Sequence, residues 1–147
     1  MHYYNYDKIL SYNCPVNVLI GERGVGKTYG AKNFIISDYL KRKNEFLYLR
    51  RYENELKEVF QKDKTNKLDF FDDIKEKYLD HTLEAKNRKF YIDNYAFGIA
   101  KRMTAAQDLK STTHNNIKTI LIDEYFIEKN KRYYLPNERY DFTFHFW

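Results

Sequence analysis

The sequence predicts an α/β domain, a parallel sheet flanked by helices with a small β-meander inserted into it. Three observations predict it. Gly21-Glu22-Arg23-Gly24-Val25-Gly26-Lys27-Thr28 fits GxxxxGK[ST] at every fixed position. It sits between an apolar run, Val16-Asn17-Val18-Leu19-Ile20, and a helical stretch over 29–42, so strand, glycine turn and helix N-terminus follow in order. Thr119-Ile120-Leu121-Ile122 is a β-branched and aliphatic run that ends in Asp123-Glu124, the pattern of a buried parallel strand. Between these two landmarks, strand-like and helical patterns alternate.

The elements follow in order. Residues 16–20 are the first expected strand and 29–42 the first helix, with Asn44 as its stop. Phe46-Leu47-Tyr48-Leu49-Arg50-Arg51 reads as a second strand. Residues 52–61 and 67–79 read as helices, and in the latter Leu68, Phe71, Ile74 and Tyr78 recur at helical spacing as core candidates. The period then changes to two. Residues 82–85, 89–92 and 95–100 are expected as short strands, joined by turns at Lys86-Asn87-Arg88 and Asp93-Asn94. Residues 103–109 allow one or two helical turns, 111–116 form a polar loop, the acid-ended strand follows, and 128–132 form a charged loop.

Composition bounds the function. The 147 residues suffice for one domain with a core of its own, and no internal repeat or low-complexity linker divides them. Lys and Arg number 26 against 21 Asp and Glu, a net charge of +5 that is compatible with a nucleic-acid partner without requiring one. No apolar run is long enough to span a bilayer, so no membrane role is expected, and the first residues lack a signal-peptide core. Cys14 is the single cysteine, which excludes an internal disulfide, and nothing near it in sequence offers a base. The four histidines show no metal-ligand spacing with it. The 15 Tyr and 11 Phe are attributed to an aromatic core and a coding bias rather than to base stacking.

The chemistry expected of the two motifs is that of Mg²⁺ and ATP. Backbone N–H groups of Gly21, Glu22, Arg23, Gly24, Val25 and Gly26 would cradle phosphates at the helix N-terminus, Lys27 would reach the outer phosphates, and Thr28 would offer its hydroxyl to Mg²⁺. Asp123 would hold the Mg²⁺ shell and Glu124 would orient or deprotonate the attacking water. A core strand with two solvated acids at its end is the plain alternative for the second motif. Candidate phosphate-contacting loops for DNA are Lys86-Asn87-Arg88-Lys89 and Lys110-Ser111-Thr112-Thr113-His114, each of which also reads as a solvated turn.

Beyond the motifs, residues 17–29 and the run Phe46-Leu47-Tyr48-Leu49-Arg50-Arg51-Tyr52-Glu53-Asn54-Glu55-Leu56 closely resemble the DNA-packaging (encapsidation) motor ATPases of small podoviruses with protein-primed genomes. The resemblance continues through Arg88-Lys89-Phe90-Tyr91-Ile92-Asp93, resumes at 119–129, and includes Tyr134-Leu135-Pro136-Asn137-Glu138. It implies a P-loop NTPase of the ASCE class (additional strand, catalytic glutamate) that hydrolyses ATP to drive double-stranded DNA into an empty capsid. It also implies a homo-oligomeric ring, pentameric in the family, at the portal of the procapsid in the cytoplasm of the infected bacterial host, docked through a structural RNA in the best-known members. By position it assigns Lys27 and Thr28 to phosphate and Mg²⁺, Asp123 to the Mg²⁺ side and Glu124 to catalysis, and it places Arg23 and Arg50 near the nucleotide. For both arginines, a surface charge or a strand-end salt bridge is an equal reading.

Residues 139–147 do not resemble the family's continuation into a further helix, a trans-acting arginine and another core strand. The expectation is therefore a single ATPase domain over 1–147, incomplete at its C-terminal end and without the nuclease-like second domain. Two other classes compete with the motor. A nucleotide kinase uses the same phosphate loop, but the glutamate after Asp123 and the Arg-Arg strand end speak against it. A non-catalytic nucleotide-binding assembly module would bind ATP without turnover.

Overall fold

Strand β1, Glu45–Arg50, is the centre of the molecule, with its four inner residues fully buried. A computed structural model describes residues 6–22, 24–61, 69–103 and 115–123. The sheet has five strands in the order β2-β3-β4-β1-β5, formed by β2 (Leu83–Lys86), β3 (Lys89–Ile92), β4 (Tyr95–Arg102) and β5 (Ile117–Ile122). β1 pairs in parallel with both β4 and β5, whereas β2, β3 and β4 pair antiparallel. The meander is thus no separate insertion. Its last strand joins the parallel part directly, and the sheet is mixed rather than parallel.

Side chains alternate across this sheet as period two requires. Phe46 and Tyr48 face one way, into a cluster with Phe70, Phe71, Phe90 and Phe97. Leu47 and Leu49 face the other way, with Met103, Ile99, Ile120 and Ile122. Burial on both faces explains why β1 reads as an unbroken apolar run. β5 carries the same kind of run but is only half-buried along most of its length, because it lies at the edge of the sheet among the described residues.

Helix α2, Lys27–Arg42, covers the aromatic face. Ala31 and Ile35, and Lys32 and Ile36, recur at i, i+4, the spacing that places side chains on one stripe. Two charged residues on that stripe are matched. Lys32 Nζ lies 2.8 Å from Asp73 and over the Phe70 ring, and Asp38 accepts from Arg42 Nε at 2.6 Å. The helix stops at Lys43, which takes a left-handed conformation and donates its N–H to Tyr39 O, while Lys41 and Arg42 complement the dipole. A short helix α1, Tyr6–Leu10, rests on α2, its Tyr6 ring against Gly30 and its hydroxyl donating to Lys27 O at 2.7 Å. Helix α3, Glu53–Phe60, buries Leu56 in the same aromatic cluster.

Two further expectations are corrected. Residues 16–20 form no strand, and Val16, Val18 and Ile20 are 60%, 60% and 79% exposed. The apolar pattern is present, but no described strand lies beside it to complete a ladder. Of the helix expected over 67–79, the described part is a series of turns closing in one 3₁₀ turn, Lys75–Tyr78. There Asp72 accepts from the Asp69 N–H and from Lys75, and these local bonds compete with a helical ladder. Phe71 and Ile74 are nevertheless fully buried, as their spacing predicts. The short helix α1 has no counterpart in the sequence reading. The hairpin turns fall where expected, with Asn87, Arg88, Asp93 and Asn94 all at positive φ, the signature of the tight turns that match strand twist. Residues 104–109 and 124–147, including the charged loop at 128–132 and the segment 134–138, lie outside the described residues.

Candidate functional site

The glycine loop ends at the N-terminus of α2. Gly24 and Gly26 have φ of 85° and 79°, backbone angles that L side chains rarely adopt. Gly26 is the N-cap residue and supplies no side-chain cap, and the first turn of α2 contains no acidic residue. The helix therefore presents its first N–H groups and the positive end of its dipole without an internal anion. Lys27 Nζ folds back over the loop and donates to Gly21 O at 2.7 Å and Glu22 O at 2.6 Å. Thr28 is exposed at the same helix end, and Val25 is exposed on the loop. Arg23 lies outside the described residues.

Lys32, in the N-terminal half of α2, lies over the Phe70 ring, which meets Tyr48 near the end of β1, whereas Tyr39, near the other end of α2, meets Phe97 beside Phe46. The N-terminus of α2 therefore lies toward the end of the sheet where β1 and β5 finish. Asp123 stands at that end of β5 and donates its N–H to Leu49 O at 3.3 Å. In the parallel register Tyr48 is opposite Leu121, which sets Arg50 and Asp123, each two residues further on, on one face of adjacent strands. Tyr48 Oη donates to Asp123 Oδ2 at 3.2 Å and accepts from Arg50 Nε at 2.9 Å. Arg50 also approaches Asp123 Oδ2 directly, at 3.5 Å. Burial pushes the Tyr48 phenol well above its ordinary pKa, and the Asp123 charge adds to the rise, so the group stays a neutral donor. Glu124 lies outside the described residues.

The structure brings Arg50 and Asp123 together as a strand-end ion pair, and it puts the loop at the same end of the sheet. Tyr48 is the member that sequence reading missed. Strand alternation puts Tyr48 on the face of Arg50, but only the pairing of β1 with β5 shows that an acid stands beside it.

The basic turn at the tip of the meander is partly neutralised from within. Lys86 pairs with Glu84 at 2.9 Å and lies over the Tyr91 ring, and Arg88 pairs with Glu53 of α3. Lys89 is exposed on β3. The second basic loop, 110–114, lies outside the described residues. Among the described residues no cluster of His, Cys, Asp and Glu is arranged to hold a metal by itself, and no helix is long and apolar enough to cross a membrane.

These features define a mixed α/β domain, a five-stranded sheet with a glycine loop and an acid-ended strand at one end. Residues 1–143 match the family of the Podovirus DNA encapsidation protein (Gp16), and the chain belongs to that family. It is 38% identical over 136 residues to the DNA packaging protein of Bacillus phage phi29, an alignment that covers 92% of this chain and 39% of that protein. The crystal structure of the N-terminal domain of the DNA packaging ATPase from bacteriophage phi29 superposes with a TM-score of 0.82 at 37% identity, over 95% of this chain and 68% of that one. A chain of the bacteriophage Phi-29 viral genome packaging motor assembly gives a TM-score of 0.81 at 37% identity, over 97% of this chain and 41% of that one.

Proposed function

We propose that this chain is the Mg²⁺–ATP-binding and hydrolysing part of a motor subunit that packages double-stranded viral DNA, built on a P-loop fold of the ASCE class. The observation that carries the reading is the open N-terminus of α2, formed by left-handed Gly24 and Gly26, at the same sheet end as the Asp123 carboxylate. The residues fit the ligand. A side chain at Gly24 would meet nothing within 4 Å, so the loop has room for an anion. Among the described residues the Lys27 ammonium is held by loop carbonyls, which a phosphate can displace. A carboxylate and a hydroxyl are the hard oxygen donors that Mg²⁺ takes. Bound Mg²⁺–ATP would supply a phosphoryl group whose charge is spread over its oxygens for transfer to water.

The chain's own residues then have distinct tasks. Lys27 and the loop amides offset phosphate charge, Thr28 and Asp123 hold the metal side, and Glu124 orients water. Arg50, 3.5 Å from its Oδ2, holds the Asp123 carboxylate at the strand end. From the family resemblance we further propose that such subunits form a ring at the portal of a procapsid in the host cytoplasm, grip DNA through its phosphates and dock through a structural RNA. The similarity to DNA packaging proteins and to a chain of a packaging motor assembly supports work within an assembly. The open helix end also serves the second reading, a module that binds ATP without turning it over.

The test is calorimetry of ATP binding to the folded chain and to Lys27→Ala. A lost charge-assisted contact of about 1.5–3 kcal/mol predicts roughly 10–100-fold weaker binding in the variant. Equal affinity in the two proteins refutes the phosphate-loop assignment. Phosphate release by the wild-type chain then separates a hydrolase from a binding module.

A further inference from the structure

We propose that Tyr48 is a positioning residue for Asp123, anchoring Oδ2 of its carboxylate so that Oδ1 is presented to the magnesium–nucleotide site. The proposal rests on the Mg²⁺–ATP reading of Asp123 given above and adds a residue to it.

The geometry fixes the direction of the hydrogen bonds. A phenol has one proton to donate. Arg50 Nε donates to the Tyr48 oxygen at 2.9 Å, so the phenol's own proton is directed to Asp123 Oδ2 at 3.2 Å. The Arg50 guanidinium approaches the same oxygen. Both contacts therefore fall on Oδ2, and Oδ1 has no partner among the described residues. An acid with one oxygen tied down and the other open suits Mg²⁺, which takes carboxylates sparingly and demands strict geometry.

The anchor itself cannot drift. Tyr48 is 1% exposed, and its ring meets Phe70 and Phe90 edge-on, with centroids 5.3 and 5.8 Å away. Asp123, by contrast, lies beyond the end of β5, with its side chain 28% exposed. An ion pair with Arg50 alone would leave the carboxylate free to turn, because a guanidinium accepts it in several orientations. The rigid phenol removes that freedom. Partners of this kind, one shell out from a metal, typically change metal affinity by about 10–100-fold when lost.

Tyr48→Phe deletes the hydroxyl and keeps the ring. ATP affinity is measured by calorimetry on the full chain in Mg²⁺ and again in EDTA. The expected result is an affinity in Mg²⁺ lowered by roughly tenfold or more with the EDTA value unchanged, so that the ratio of the two falls. In the Asp123→Asn background, Tyr48→Phe is expected to cause no further fall, because the phenol acts only through that carboxylate. A purely structural role would lower the melting temperature and leave the ratio as in wild type, and that result overturns the proposal. If Tyr48→Phe does not fold, Arg50→Lys removes the Nε bond to the phenol with the charge retained. A smaller fall in the same ratio is then expected, and an unchanged ratio counts against the proposal. Wild-type binding that is indifferent to Mg²⁺ overturns the nucleotide reading of Asp123 itself, and that outcome is visible before any variant is made.

Discussion

Gly98 shows how closely single positions are specified. It pairs with Phe46 across the parallel β1–β4 ladder, and a Cβ added to it would overlap the Phe46 ring. That ring is fully buried and touches Phe90 and Phe97 at centroid distances of 5.0 and 5.2 Å, so it has no space to retreat into. Gly98→Ala is therefore expected to destabilise the fold by about 1–3 kcal/mol, as overpacked cores do, and urea unfolding of the two proteins measures it. Nothing in the sequence around Gly98 announces this, because the partner ring lies roughly 50 residues away and the cause is purely tertiary. The same holds for Tyr48. Lys27 and Asp123 stood out as candidates because local patterns carry them, a glycine loop before a helix and an acid after an apolar run. Tyr48 became visible only when the register placed β1 beside β5.

Among the elements, legibility follows the range of the forces involved. The helix over 27–42 and the hairpins were readable because their stripes, caps and turns are local. Residues 16–20 were not. Their alternation of Val16, Val18 and Ile20 is genuine strand preference, but such preference measures packing against neighbours, and no described neighbour is present. The β2–β3 hairpin shows a further local device. Asp93 accepts the Thr82 N–H at 2.9 Å through one oxygen and meets His81 Nδ1 at 2.7 Å through the other. The bond to His81 is the main reason its carboxyl sits below the ordinary aspartate value, and the Thr82 N–H adds to it. Asp72 is lowered likewise, chiefly by Lys75. A carboxyl with a depressed folded pKa contributes stability that is complete above its unfolded value, about 3.9, and lost as pH falls through the lower folded value. Melting temperature is thus expected to drop with acidification below about pH 4, and to drop less in Asp93→Asn. A melting series on both proteins from pH 6 downward checks this, and parallel curves would remove Asp93 from the account.

At the scale of the whole molecule, charge and layering set what the surface can do. The net charge is +5, but at the meander turn Lys86 and Arg88 are already engaged by Glu84 and Glu53. Binding to double-stranded DNA is expected to be weak, indifferent to sequence and dependent on salt, with log K falling by about 0.9 per decade of salt for each phosphate contacted. Filter binding or fluorescence anisotropy over a salt series on two unrelated duplexes measures the slope, and a marked preference for one duplex contradicts a phosphate-only grip. Glu53→Gln, which releases Arg88 from its partner, is expected to tighten binding if this turn takes part.

The position of β1 between β4 and β5 also governs how the molecule comes into being. Its two ladder partners arrive late: Gly98 lies roughly 50 residues beyond Phe46, and Ile122 roughly 70 beyond Leu49. At a translation rate of about 5–20 residues per second, the most buried strand of the sheet leaves the ribosome several seconds before either neighbour exists. During that interval both of its edges are open, and its aromatic face is shielded first by α2, already made, and then by α3 and the Phe70-Phe71 turn as they emerge. The nascent chain thus depends on that helix docking early, and the strand that gives the mature protein its core is the one most exposed to misassociation while the protein is being made.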